Sequence, residues 1–174
     1  MPRPYLALLA VLALHLTAPP GSAQAPDETA EGPASVRTDT PSGLPVPRFV
    51  SFKSDRTNCR LGPSFEHPVV AVYLRAGAPV EVVAETTDHW RKVRDQDGLG
   101  CWAHQSTLRA VSHVLVLEEV AIRAQPEEAS PARARLAEGV LARLIRSRQG
   151  WSLISAGGVK GWAPTGHLWG AGAP

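Results

Sequence analysis

The chain has 174 residues, of which 18 are basic and 16 acidic, and its formal net charge at pH 7 is +2. Nucleic-acid-binding proteins usually gather basic residues on one face, whereas bases and acids are mixed throughout this sequence, so we expect no nucleic-acid partner. The sequence contains no Gly-x-x-x-x-Gly-Lys loop, His-Glu-x-x-His pair or Gly-x-Ser-x-Gly elbow. We therefore expect no cofactor, no metal centre and no catalytic residues.

The start of the chain predicts a secretory signal peptide over residues 1–23. Arg3 is followed by an apolar run at residues 6–16 and then by small residues that include Ala23 and Ala25. The run is shorter than the roughly 20 residues that span a bilayer, and its flanks are typical of a cleaved signal. We expect cleavage after residue 23 or 25, a periplasmic or secreted protein, and no membrane span in the mature chain.

Residues 24–47 differ from the rest of the chain in composition. They contain five prolines, few large apolar residues and a net charge of −3. Such a segment buries too little apolar surface to offset the entropy lost on ordering. We therefore predict a disordered, fairly extended linker here.

Residues 48–110 and 111–174 are two copies of one pattern. Residues 57–63, Thr-Asn-Cys-Arg-Leu-Gly-Pro, return as residues 120–126, Val-Ala-Ile-Arg-Ala-Gln-Pro. Two tryptophans and a leucine then follow in the same order in both copies: Trp90 aligns with Trp151, Trp102 with Trp162, and Leu108 with Leu168. The spacing shortens by single residues between these landmarks, which is typical of deletions in loops.

Both copies have the pattern of short β-strands. Apolar runs bounded by Gly, Pro, Asn and Asp predict strands in the first copy at residues 56–61, 69–73, 79–85, 90–94 and 99–104. The equivalent runs in the second copy include residues 133–136, 140–145 and 151–155. Asp95-Gln-Asp97-Gly98 predicts a tight turn. The prediction is an all-β chain of two small modules, module 1 (48–110) and module 2 (111–174).

Several segments of module 1 resemble the bacterial SH3-like domain. They are Asn-Cys-Arg-Leu-Gly-Pro, the glycine before Pro-Val-Glu-Val-Val, His-Trp-Arg-Lys-Val, and a Gly-x-x-x-Trp hairpin. Residues 48–54 resemble the lead-in of an exported subgroup of that family, and the likeness extends through module 2. The resemblance implies two tandem small SH3-like β-barrels, each partly open and five-stranded. It also implies an extracytoplasmic binding or targeting role, often toward cell-wall polymers.

Cys59 and Cys101 are the two cysteines of the chain, and an exported protein meets an oxidising compartment. Cys59 aligns with Ile122, and Cys101 aligns with Gly161. The SH3-like fold brings these strands together, so a large residue opposite a glycine in one copy is a cysteine pair in the other. We predict a Cys59–Cys101 disulfide.

Three alternatives for these cysteines remain at the level of sequence. They are two buried free thiols, a zinc site with His104 and His67, and a cysteine-dependent hydrolase in which Cys101 is the nucleophile and His104 the base. The zinc alternative lacks the paired ligand spacing of structural zinc sites. The hydrolase alternative requires an exposed, electropositive thiolate.

The aromatic residues indicate where a ligand binds. Some aromatic residues of SH3-like barrels line an open groove and stack on sugars or peptides. Five residues of module 1 are the candidates for this groove: Phe65, His67, Tyr73, Trp90 and Trp102. The predicted function is non-catalytic binding of cell-wall peptidoglycan or its peptides. The alternative is a protein–protein interaction adaptor that docks an envelope protein.

Overall fold

The structure is a computed structural model that describes residues 36–172. Within that range the chain forms fourteen β-strands and two single-turn 3-10 helices. The strands make two seven-stranded antiparallel sheets, one in each half of the chain. The predicted all-β fold of two tandem modules is confirmed, whereas the predicted signal peptide lies outside the described residues.

The first sheet contains the strands of module 1. They are β1 (Arg48–Phe52), β2 (Thr57–Arg60), β3 (Val69–Tyr73), β4 (Pro79–Glu85), β5 (Trp90–Arg94), β6 (Gly100–His104) and β7 (Leu108–Ala110). Their spatial order is β3-β2-β6-β5-β4-β1-β7. The 3-10 helix Gln105–Thr107 separates β6 from β7.

The second sheet repeats this arrangement strand for strand. Its members are β8 (His113–Val116), β9 (Val120–Arg123), β10 (Ala132–Leu136), β11 (Leu141–Arg148), β12 (Trp151–Ala156), β13 (Val159–Pro164) and β14 (Leu168–Trp169). Their order is β10-β9-β13-β12-β11-β8-β14. The sequence repeat is therefore a repeat of topology, and the 3-10 helix Thr165–His167 completes the match.

The β5–β6 turn shows how local sequence sets the register. The Asp95 carboxylate Oδ1 accepts hydrogen bonds from the backbone N–H of Asp97 at 3.1 Å and of Leu99 at 2.9 Å. Gly98 has a φ of 83°, which glycine adopts without steric cost. The predicted tight turn is confirmed, and it aligns Val93 with Cys101 on the core side of the sheet.

The predicted Cys59–Cys101 disulfide is present in the core of module 1. Its Cα atoms are 5.7 Å apart and both residues are buried. In module 2, a Cβ atom added to Gly161 would lie 3.0 Å from the Cβ of Ile122. Glycine is thus needed opposite the isoleucine, as the comparison of the two copies predicts.

Each sheet has seven strands, so the expectation of a five-stranded barrel is wrong. The strands that lacked a prediction are β1, β7, β8 and β14, with β1 paired to both β4 and β7. The last three residues of β1 are all buried, so the strand does not show the alternation of a half-buried strand. This is why its sequence did not predict it.

The linker prediction is wrong for residues 36–47. Arg37 and Val46 form a β-bridge, and Val46 is 2% exposed within the core of module 1. Ser42 donates its backbone N–H to Glu85 at 3.1 Å. One buried valine and these hydrogen bonds order a segment whose composition is otherwise typical of a tether.

The two modules pack against each other. The Trp169 indole N–H donates to the Pro79 carbonyl at 3.1 Å, and its ring lies edge-on to Phe49 with centroids 4.9 Å apart. Arg75 donates to the Gly139 carbonyl at 3.0 Å. The modules therefore form one packed unit.

His113 lies at this junction. A Cβ on Gly77 would lie 2.9 Å from its Nδ1, and the Ser112 hydroxyl is 2.9 Å from the same nitrogen. Burial lowers the pKa of His113, and nearby positive charges lower it further. Those charges belong to Arg109, Arg143 and Arg75.

None of the described residues forms a helix that is both long and apolar enough to cross a bilayer.

Candidate functional site

A cleft of about 260 Å³ opens on the surface of module 1. It lies where the end of β2, the turn after it, the start of β5 and the end of β6 meet. The residues that line it are Arg56, Thr57, Asn58, Arg60, Phe65, Trp90, His104 and Thr107.

The aromatic wall of the cleft consists of Phe65, Trp90 and His104. The Phe65 ring packs edge-on to Trp90 with centroids 4.9 Å apart and lies 5.4 Å from the His104 ring. Trp90 is 4% exposed, whereas Phe65 is 68% exposed. Trp90 is therefore held in place by its burial, and the exposed ring of Phe65 is available to stack on a ligand.

The turn between β2 and β3 positions Phe65. Leu61 donates its backbone N–H to the Pro68 carbonyl at 3.0 Å, and Arg60 donates to the His67 carbonyl at 2.7 Å. A Cβ on Gly62 would lie 2.4 Å from the His67 ring, so only glycine admits this packing. The Arg-Leu-Gly-Pro sequence thus dictates the turn that carries Phe65.

The charge of the cleft is positive. Arg56 and Arg60 line it, and no carboxylate is among the lining residues. The Arg60 guanidinium lies 5.7 Å from the centre of the Phe65 ring, within the range of a cation–π contact. With the Asn58 side chain beside them, these groups suit a ligand that has hydrogen-bond acceptors and negative charge.

The structure brings two of the five predicted site residues, Phe65 and Trp90, into the cleft. His67 packs on Gly62 instead and supports the turn. Trp102 is paired with Arg60 and with Lys92, so it lies on the same face of the sheet as the cleft but outside its lining.

Tyr73 is not brought into the cleft. Its ring stacks on Phe52 in the core with centroids 4.6 Å apart, and its hydroxyl donates to Asp95 Oδ2 at 2.8 Å. Burial raises the pKa of Tyr73, and the hydrogen bond and charge of Asp95 act in the same direction. Tyr73 therefore fixes the Asp95 turn from the core side.

Sequence reasoning did not assign Arg56, Asn58 and Thr107 to the cleft. Asn58 and Arg60 flank the buried Cys59 on β2, so their outward orientation follows from strand alternation. His104 was considered only with the cysteines. Its Nδ1 lies 2.7 Å from the Ser106 hydroxyl, which orients the ring at the edge of the cleft.

Module 2 does not reproduce the cleft. Glu128 stands where module 1 has Phe65, and it forms an ion pair with Arg123 at 3.2 Å. Pro164 stands in place of His104. Trp162 is 4% exposed and is covered by Arg148, whose guanidinium lies 4.8 Å from its ring. The equivalent surface therefore keeps tryptophans but lacks an exposed ring in the place of Phe65.

The disulfide removes the alternatives proposed for the cysteines. Both sulfur atoms are bonded to each other, so neither Cys59 nor Cys101 is a free thiol, a zinc ligand or a nucleophile. Among residues 36–172, no group of three or more His, Cys, Asp and Glu side chains is placed to hold a metal ion.

Comparison with known proteins gives a family match and several remote structures. No curated protein matches the chain. NlpC2 and NlpC1 of Trichomonas vaginalis are 12% and 13% identical to it, with TM-scores of 0.33 and 0.32. Each match covers 71% of this chain but only 48% and 45% of those structures, so the chain spans about half their length. Scores this low do not establish a shared overall fold.

The family model of the bacterial SH3 domain matches residues 53–110 and again residues 116–170. The two matches fall on the two sheets and together span more than half of the chain. The protein therefore belongs to the bacterial SH3 domain family and carries two copies of the domain in tandem.

Proposed function

We propose that the protein is a non-catalytic binding protein of the cell envelope, and that module 1 binds peptidoglycan or its peptides. The observation that carries the proposal is the cleft around Phe65, which has an exposed aromatic face over a buried tryptophan. An exposed ring beside hydrogen-bonding groups is the usual platform for sugars and extended peptides.

The location in the envelope rests on two observations. The bacterial SH3 domain occurs twice in the chain, and the Cys59–Cys101 disulfide is typical of proteins outside the cytoplasm. The apolar run near Arg3 adds the expectation of a signal peptide, with cleavage after residue 23 or 25.

The electrostatics of the cleft favour the peptide part of peptidoglycan. Arg56 and Arg60 suit carboxylates, and the cleft volume of about 260 Å³ is small, as expected for a groove that holds one segment of a polymer. His104 and Asn58 supply further polar contacts. Module 2 has Glu128 and Pro164 at the equivalent places, so we assign it a structural role and no part in ligand binding.

A sedimentation experiment tests the proposal. The purified protein is mixed with insoluble peptidoglycan at low salt, and the pelleted fraction is measured for wild type, Phe65→Ala and Glu128→Ala. Glu128 occupies the place of Phe65 in module 2, so it is the matched control. We expect Phe65→Ala to weaken binding by about threefold to tenfold, the range expected for one aromatic contact, and Glu128→Ala to bind as wild type does.

Other outcomes contradict specific parts of the proposal. Equal pelleting of Phe65→Ala and wild type would exclude the cleft as the binding site. An absence of pelleting would favour the second candidate, an adaptor that docks an envelope protein, because the same aromatic and arginine side chains are common at protein interfaces. Capture of an envelope protein by wild type but not by Phe65→Ala would then identify the cleft as its docking site.

A further inference from the structure

A second cavity, of about 450 Å³, is present in module 1, and it shares no lining residue with the cleft around Phe65. It is bounded by the segment before β1 and by strands β1 and β7. Its apolar lining includes Leu44, Phe49, Val50, Val82 and Leu108. This volume is within the range of about 300–1,000 Å³ that small-molecule sites have, and such sites are mostly apolar with a few polar groups.

Two arginines, one buried and one partly buried, are among the residues that line this cavity. Arg48 and Arg91 line it and both pair with the Glu85 carboxylate, whose side chain is fully buried behind them. The Arg91 side chain is 7% exposed. Burial opposes ionisation of Glu85, but hydrogen bonds from Ser42 and Arg48 outweigh it and lower its pKa. One carboxylate is therefore shared by two guanidinium groups.

The fold does not require charge at these positions. The pair Glu85–Arg91 between β4 and β5 corresponds to Ser147–Ser152 between β11 and β12. The two serine hydroxyls are 2.7 Å apart, and Ser152 lies 2.9 Å from the Thr165 hydroxyl. Module 2 thus satisfies the same sites with a neutral network. Buried ion pairs are often no more stabilising than neutral replacements, so stability alone does not account for the arginines.

A third arginine completes the site. Arg109, on β7, lines the cavity from its exposed rim, and none of the described residues forms an ion pair or hydrogen bond with its guanidinium group. No carboxylate is among the lining residues. Since Glu85 balances only one of the three arginines, the cavity has an apolar interior and a net positive rim.

From this arrangement we infer that the cavity is a binding site for a small amphipathic monoanion, with its apolar body against Val50 and Leu108 and its acidic group at Arg109. A free medium-chain carboxylate is the simplest ligand of this class. Arginine suits it because the guanidinium group donates two parallel hydrogen bonds to a carboxylate. This site is separate from the cleft around Phe65, and the inference about its ligand does not depend on the proposed function.

A pair of fluorescent probes tests the charge preference. Anilinonaphthalene sulfonate (ANS) has an aromatic body and one negative charge, and phenylnaphthylamine has the same body without the charge. Each is titrated into the purified protein, and bound ANS is then displaced with decanoate or with decanol. We expect saturable binding of ANS at one site, weaker binding of phenylnaphthylamine, and displacement by decanoate at lower concentration than by decanol.

Three variants assign the binding to the cavity. Arg109→Gln should weaken the affinity for ANS by about fivefold to tenfold, the loss expected for one charge-assisted contact. It should leave the affinity for phenylnaphthylamine unchanged. Ala110→Phe, which places a ring at the rim, should weaken both probes. Arg135→Gln removes an exposed arginine of module 2 and should bind both probes as wild type does.

The inference is wrong if ANS does not bind saturably, if the charged and neutral probes bind equally well, or if Arg109→Gln binds ANS as tightly as Arg135→Gln does. Near-ultraviolet circular dichroism of each variant establishes that the protein is folded, so that ANS does not report exposed core. Arg109 is exposed and should be replaceable without loss of the fold, which keeps the test decisive even if Ala110→Phe does not fold.

Discussion

Replacing the disulfide of module 1 with the residues that module 2 uses isolates the contribution of the cross-link. Ile122 and Gly161 occupy in module 2 the places of Cys59 and Cys101. A Cβ atom added to Gly161 would lie only 3.0 Å from the Cβ of Ile122, so the isoleucine packs directly against the glycine. The variant Cys59→Ile/Cys101→Gly therefore removes the covalent bond while a side chain of similar size still fills the core. A cysteine-to-alanine pair would instead leave a cavity.

The expected magnitude follows from the length of the loop that the bond closes. The two cysteines are 42 residues apart in sequence, and a loop of this length loses about 4 kcal/mol of chain entropy from the unfolded state at 25 °C. Module 1 is a small domain, for which 1 kcal/mol shifts the melting temperature by about 4–8 °C. We expect the variant to lose about 3–4 kcal/mol of unfolding free energy and more than about 10 °C in melting temperature.

Hydrogen exchange followed by mass spectrometry measures this loss strand by strand. The slow amides of β2 and β6 should lose most of their protection, while those of β12 and β13 should change by less than about 1 kcal/mol, because only module 1 contains the bond. Wild type treated with a reductant should match the variant. A variant as stable as oxidised wild type would refute the loop-entropy argument. Equal losses in both modules would show that the interface at Trp169 couples them into one unfolding unit.

Two further predictions concern the junction between the modules. Trp169→Ala removes both the edge-on contact with Phe49 and the hydrogen bond to Pro79; because Trp169 is half-buried, we expect a loss of about 2 kcal/mol, below the roughly 3–5 kcal/mol of a fully buried tryptophan, measured by urea unfolding. Burial and neighbouring arginines lower the pKa of His113 in the folded chain, so the unfolded chain binds the proton first as pH falls below the ordinary histidine value of 6.5. The contribution of His113 to stability should therefore be present above that value and be lost as the pH falls below it, through the lowered pKa of the folded chain. His113→Gln should show a smaller decline in a series of melting temperatures at falling pH, and an unchanged decline would contradict the assignment.

The fold was predictable because its signals are local. The turn at Asp95 and Gly98 is set by a carboxylate that hydrogen-bonds two backbone N–H groups within four residues. Alignment of the two copies then locates the same elements in the second copy. For example, it identifies β10 as a strand although the Ala and Arg residues around Arg133 favour a helix. Register within each module follows once the turns are placed.

The candidate site was only partly predictable, because it depends on which face of a strand is buried. β3 reads Val-Val-Ala-Val-Tyr, which is apolar on both faces, so its sequence does not indicate that Tyr73 points toward Phe52 in the core. The cluster at Glu85 depends on Arg48, 37 residues away in sequence. Pairings of this kind are set by topology, and neither composition nor periodicity encodes them.

The two copies differ in a way that connects stability with binding. Module 1 keeps features that do not favour a small domain: an exposed Phe65 and a buried charged cluster at Glu85 that module 2 replaces with hydroxyl groups. Exposed aromatic surface gains nothing from folding, and buried ion pairs are costly to desolvate. The disulfide is found in this same module, where its constraint on the unfolded chain offsets those costs. Module 2 lacks the cleft, the charged cluster and the cross-link, and it contributes Trp169 to the junction. The cross-link therefore accompanies the features that we assign to ligand binding, which is the distribution expected if module 1 carries the function and module 2 supports it.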